Sequence, residues 1–178
     1  MSSSQQGPRR NFGDNRGGPT GPSRHAGHGG RDRPPERSIT DLWPGYLDGG
    51  YFDPRGYLKI DYVSRDKVEP FVKAICHSSP RLTTHQVRRY FGHCRFLETR
   101  LRGGSVPWED VLPEVKKLAI AAADGLHKQP KKIPDLFHDF IQRNVDKIKN
   151  QKDFLQGFLP HFEALIGFGQ AHFDKGRN

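Results

Sequence analysis

The sequence predicts an all-α protein, a compact bundle of about five helices behind a Gly/Arg/Pro-rich N-terminal segment. Three observations predict it. Apolar residues recur at helical spacing from about residue 62 onward. Capping and stop signals bracket those stretches. The first 38 of the 178 residues are nearly devoid of apolar side chains.

That opening segment, residues 1–38, cannot bury enough surface to offset chain entropy, and disorder is expected there. Apolar residues are only 33% of the chain, which fits a part that does not fold. The folded bundle is expected over 39–178. Trp43, Tyr46, Tyr51, Phe52 and Tyr57 are expected to pin residues 39–60 onto it. Asp53-Pro54-Arg55-Gly56 has the residues of a type I turn, and no strand ladder is evident.

The first helix, about 62–77, presents Val68, Phe71, Val72 and Ile75, with Pro70 kinking it or starting its regular part. The second opens on the capping box Thr83-Thr84-His85-Gln86 and stops at Gly103-Gly104. The third carries Val111, Val115, Leu118, Ala122 and Leu126, with Pro113 expected in its first turn. The fourth, about 134–149, carries Phe137, Phe140, Ile141, Val145 and Ile148. The fifth, about 151–173, carries Phe154, Phe158, Phe162, Leu165, Ile166 and Phe173, with Pro160 as a kink. No internal repeat is found.

The net charge of +9 points to a polyanionic partner. Residues 1–38 hold seven Arg and three acids, and residues 81–102 hold six Arg and the single acid Glu98. The remainder balances. All basic residues of the tail are Arg, which fits either sequence-tolerant RNA contact or a mere solubilising extension. On the second helix, with His85 at the origin, Val87, Tyr90, Phe91, Cys94, Leu97 and Leu101 fall between about 120° and 240°. Arg88, Arg89, His93, Arg95, Arg100 and Arg102 fall on the remaining arc, with Phe96 among them. Arginines grip phosphates bidentately, and an aromatic between them gives a base a surface to stack on. RNA or single-stranded nucleic acid is the ligand this face fits. The candidate contacts are Arg81, His85, Arg88, Arg89, Arg95 and Phe96. Lys128, Lys131 and Lys132, in the loop before the fourth helix, are the next candidates. A solvated basic face, with Phe96 packed on a neighbouring subunit, fits the same pattern.

Catalytic and metal chemistry find little support. His93 and Cys94 point about 100° apart on a helix, and no CxxC or HxxxH spacing exists. Cys76 and Cys94 read as reduced thiols. His138-Asp139 lacks further ligands. There is no phosphate-binding glycine loop and no Gly-x-Ser-x-Gly. Arg88 to His93 has the R-x4-H spacing of the HEPN ribonucleases, all-helical enzymes that need no metal, but Arg89 departs from the residue types usual after that arginine. No catalytic, cofactor or metal residue is assigned. No apolar run of about 18 residues exists to span a membrane, and the N-terminus lacks the apolar core of a secretory signal. A cytoplasmic location is expected.

Four motifs occur in one order: Tyr51-Phe52-Asp53 with Gly56 and Leu58, then Thr83 through Phe91, then the Pro113 helix, then Phe162-Glu163-Ala164-Leu165-Ile166. In this order they resemble the small subunit of type III-A CRISPR–Cas effector complexes, the Csm complex of antiviral defence. The resemblance covers about residues 46–173. It implies a non-catalytic bundle that stacks with copies of itself along the guide–target duplex and touches the target RNA strand through its basic surface. The partners it implies include a large polymerase-like subunit, which does the signalling chemistry, and the backbone subunits, which cut target. The chain departs from the family in its Arg/Gly tail and at Gly167 to Gly169. Two other readings are a HEPN-type metal-independent ribonuclease and a purely structural spacer.

Overall fold

Thr83 shows how local sequence sets these helices. Its hydroxyl accepts from the Gln86 amide at 3.2 Å, and the Gln86 side chain accepts from the Thr83 amide at 2.9 Å. Two amides that a helix start would leave without partners are thus satisfied. The computed structural model describes residues 38–104 and 106–173. Among them are six α-helices: α1 (Ile39–Leu42), α2 (Arg65–His77), α3 (Thr84–Arg102), α4 (Trp108–His127), α5 (Asp135–Lys147) and α6 (Leu159–Gly169). A 3-10 turn, Ile60–Tyr62, precedes α2, and a π-helical segment, Asp153–Phe158, runs into α6. The five longer helices match those expected. The expected disorder of residues 1–38 lies outside the described residues except at Ser38, which caps α1 through a second capping box with Asp41.

The core is the union of the expected stripes. Val68, Phe71, Val72 and Ile75 of α2 are buried, as are Val87, Cys94, Leu97 and Leu101 of α3. So are Val115 and Leu118 of α4, Phe137 and Phe140 of α5, and Phe162 and Leu165 of α6. Helix α4 differs from expectation. It starts at Trp108, so Pro113 sits in its second turn rather than its first. Glu109 and Asp110 in the first turn oppose the positive end of the helix dipole and favour the earlier start.

The aromatic segment before α2 is pinned as expected by Trp43, Tyr46 and Tyr51, all buried, but Tyr57 is 68% exposed. The Asp53 turn explains why. Gly56 donates to the Asp53 carbonyl, and the Asp53 carboxylate accepts from the Arg55 and Tyr57 amides. The turn therefore closes on itself, with Phe52 bridged to Leu58, and lifts Tyr57 into solvent. Tyr62 takes the buried position instead.

These aromatics surround a buried polar chain whose directions are determined. The carbonyl of Tyr62 can only accept, so His161 Nδ1 donates to it at 2.7 Å. In the neutral ring Nε2 is then an acceptor, and the Tyr46 hydroxyl donates to it at 2.8 Å. Asn144 Nδ2 donates to the Tyr46 oxygen at 2.7 Å, and the Tyr51 hydroxyl donates to Asn144 Oδ1 at 2.9 Å. Among the described residues no buried side-chain polar atom is left without a partner.

The last helix carries the closest contacts. The expected feature there was a kink at Pro160; the chain instead widens into the π segment one residue before α6. Pro160 has no amide to donate, so a wider turn upstream loses less than it would elsewhere. Within it, a Cβ on Gly157 would lie 2.5 Å from Cγ of Tyr51. Helix α6 continues through Gly167 to Gly169, where a Cβ would meet Val72 at 2.6 Å. Gly157 and Gly169 allow close packing, whereas a Cβ on Gly167 would meet open space.

Two outcomes follow from this packing. Burial lowers the His161 pKa from 6.5 to about 4, so the unfolded chain takes up the proton first as pH falls. Stability should be full above about pH 6.5 and should drop by about 2 kcal/mol between pH 7 and pH 5. Urea titrations at the two pH values measure this, and His161→Gln, which removes the titrating ring, should flatten most of the difference. Gly157→Ala should destabilise by about 1–3 kcal/mol, because the aromatic wall it strikes is itself locked by Asn144. A thermal melt within a degree of wild type would contradict that packing.

Candidate nucleic-acid interface

Helix α3 exposes its charge on two flanks rather than one arc. His85, Arg89, His93 and Arg100 turn toward α4, between about 0° and 80° from His85. Arg88, Arg95 and Arg102 turn the other way, at about 260° to 300°, on the side where Phe91 meets Phe162 of α6. Phe96 stands near the crest, 58% exposed, with the Arg100 guanidinium 5.7 Å from its ring centre. Arg81, His85, Arg88, Arg89 and Arg95 are all exposed, as expected.

Glu98 changes the reading of the second flank. It is only 8% exposed, at the edge of the core. It binds Arg95 Nη1 at 2.7 Å and Arg102 Nε at 2.8 Å. The straight row Arg88–Arg95–Arg102 is thus a free arginine followed by a clamp. Among the described residues neither Arg88 nor Arg89 makes a salt bridge. The only signal for this in the sequence was that Glu98 is the single acid in the segment, three residues after one arginine and four before another.

The loop between α4 and α5 lies against the first flank. The Lys132 amide donates to the Gly125 carbonyl at 2.8 Å, and the Lys132 carbonyl accepts from the Gln86 side chain. Gln86 therefore both caps α3 and ties this loop to it. Lys128 pairs with Asp124 at 2.7 Å and Lys131 with Asp135 at 2.9 Å, while Lys132 makes no salt bridge among the described residues. A groove of about 470 Å³ runs between α3, α4 and the loop. His85 and Arg89 line it from one wall, and Lys128 and Lys132 from the other. Part of each candidate patch, alternatives in the sequence, is thereby brought to one groove. Arg88, Arg95, Arg81, Phe96 and Lys131 lie outside the groove.

The catalytic alternatives meet a different geometry. Arg88 and His93 are five residues apart and point about 140° from each other, one on each flank. The Glu114 carbonyl, 3.2 Å from His93 Nε2, can only accept, so that nitrogen carries the proton and donates. Burial pushes the Cys76 thiol up to about 12 and the Cys94 thiol higher still, away from the reactive thiolate. Among the described residues His138 pairs with only one carboxylate, that of its neighbour Asp139, at 3.1 Å. Among the described residues no three His, Cys, Asp or Glu side chains gather as a metal site, and no helix is long and apolar enough to cross a membrane.

Fold and surface together define a small helical bundle whose α3 exposes basic residues on two flanks, the kind of subunit that the motifs of α3 and α6 suggested. The chain belongs to the Csm2 Type III-A family, whose model matches residues 69–175, and is accordingly a small subunit of the Csm effector complex. The match takes in the α3 and α6 motifs and begins after the Asp53 turn. No curated protein and no solved structure matches the chain.

The Glu98 clamp makes a stability prediction. Replacing Arg95 and Arg102 together by Ala leaves a nearly buried carboxylate without a cation and should cost about 1–3 kcal/mol. Adding Glu98→Gln should restore much of the loss. Chemical denaturation of the three proteins checks this; a double variant as stable as wild type would show that Glu98 is solvated.

Proposed function

We propose that this chain is a non-catalytic RNA-binding subunit of the Csm complex. In this reading residues 39–178 contact target RNA, and several copies stack along the guide–target duplex beside the backbone subunits and the large polymerase-like subunit in the cytoplasm. The observation that carries the reading is the basic groove: Arg89, outside any salt bridge among the described residues, has Lys132 across from it, and Arg88, also outside any salt bridge among them, is exposed on the other flank of α3. The seven arginines of residues 1–38 add to the same charge. Arginine and lysine at a surface held rigid by two helices meet phosphates with little reorganisation. The Arg88–His93 geometry favours this over ribonuclease chemistry.

A salt titration of binding to single-stranded RNA tests the reading. Arg88→Ala, Arg89→Ala and Lys132→Ala combined should lower the slope of log K against log salt by about 2, at roughly 0.7 per phosphate. The fold should survive, since exposed substitutions are usually within about 0.5 kcal/mol each. Phe96→Ala should weaken binding by about 1–3 kcal/mol with little change in slope if a base stacks there. An unchanged slope in the triple variant, with circular dichroism intact, would mean that RNA does not use this surface.

A further inference from the structure

The α3–α4 groove holds a feature that a phosphate track does not need. Asp124 lines it among the cations, with its side chain 61% exposed and one carboxylate oxygen on Lys128. A carboxylate in a surface built only for phosphates would repel them. It suits a ligand with an anionic end and a hydrogen-bond-donating end. Beside the polar Gln86, His93 and Lys117, the lining has an apolar part: Leu118, Ala121, Ile133 and the ring of Tyr90, whose hydroxyl is already committed to the Ala121 carbonyl at 3.0 Å. The groove's volume, about 470 Å³, lies inside the roughly 300–1,000 Å³ of small-molecule sites.

We infer that this groove receives a single nucleotide unit, its phosphate on Arg89 and Lys132, its base against Leu118 and Ala121, and the base's amino edge on the second oxygen of Asp124. The inference rests on the nucleic-acid reading of the same surface and deepens it: the subunit takes one base out of the strand instead of only following the backbone. Bases with an exocyclic amino group offer Asp124 an amino donor at the base edge, whereas uracil offers only its ring N3–H, flanked by two carbonyl oxygens that the carboxylate disfavours. The same chemistry would admit a free mononucleotide.

The full chain, isotope-labelled, is titrated with AMP, with UMP and with inorganic phosphate, and amide shifts report the site. AMP should bind about tenfold or more tighter than phosphate, with the shifts centred on the groove, and UMP should bind more weakly than AMP. Asp124→Asn should narrow the AMP/UMP difference. Ala121→Trp fills the groove from an exposed helix position and leaves every cation in place. It should abolish AMP binding and lower the salt slope of RNA binding by about 0.7, the one phosphate held on Arg89 and Lys132. Equal affinity for AMP and phosphate, or AMP binding unaffected by both variants, would overturn the inference. Loss of fold in Ala121→Trp leaves the decision to Asp124→Asn and the ligand comparison. AMP binding without RNA binding would uphold the site with a free nucleotide as its source and remove the RNA reading. RNA binding that AMP cannot compete, with an unchanged slope in the filled variant, would keep the RNA reading and remove the pocket.

Discussion

The chain Tyr51–Asn144–Tyr46–His161–Tyr62 is the constraint on which the rest of the structure depends. It joins the segment before α2 to α5 and α6, elements about a hundred residues apart in sequence, through hydrogen bonds of 2.7 to 2.9 Å. Each donor and acceptor has one direction that satisfies all the others. A buried network of that kind is costly when any member is missing and specific when complete. Burial also holds the Tyr46 and Tyr51 phenols protonated, well above their ordinary range, so the network stays neutral at any ordinary pH. The glycine at 157, inside the π segment, follows from it, because the ring of Tyr51 occupies the space that a side chain there would need.

With the core fixed in this way, α3 is held on two sides, by Tyr90 against α4 and by Phe91 against α6. Its charge is therefore divided, and the two flanks differ in kind. On the α6 flank Glu98 neutralises part of the charge and holds Arg95 and Arg102 in set positions. On the α4 flank Arg89 faces a loop that brings Lys128 and Lys132 opposite it. The clamp lies within α3 itself, at spacings of three and four residues, while the groove on the other side exists only because α4 and its loop pack there.

The parts of this fold that were legible in the sequence are those governed by local rules. Helical periodicity located the stripes of α2 to α6, and the Thr83–Gln86 pair located the start of α3, because spacing and caps act within a turn or two. The early start of α4 was harder, since Pro113 looks like a first-turn proline unless the acidic pair Glu109 and Asp110 is weighed. Tyr57 was misassigned to the core because composition cannot tell which face of a tight turn a residue takes. Asn144 and His161 could not be paired from sequence: their partners are nearly a hundred residues away, and nothing local marks them. The exposure of the basic residues was legible; that Arg89 and Lys132 share a groove depends on how α4 turns back along α3.

Gln86 links these levels. Its amide and side-chain oxygen complete the cap of α3, and its side-chain nitrogen holds the carbonyl of Lys132. The two walls of the groove are therefore joined by one side chain that the helix start already requires. The loop is tied to α3 and α4 by these hydrogen bonds in the folded chain, and a tie made on folding lessens the conformational entropy that association costs. A surface of this kind meets an anion with its cations already spaced, and its selectivity is set by that spacing rather than by adjustment after contact.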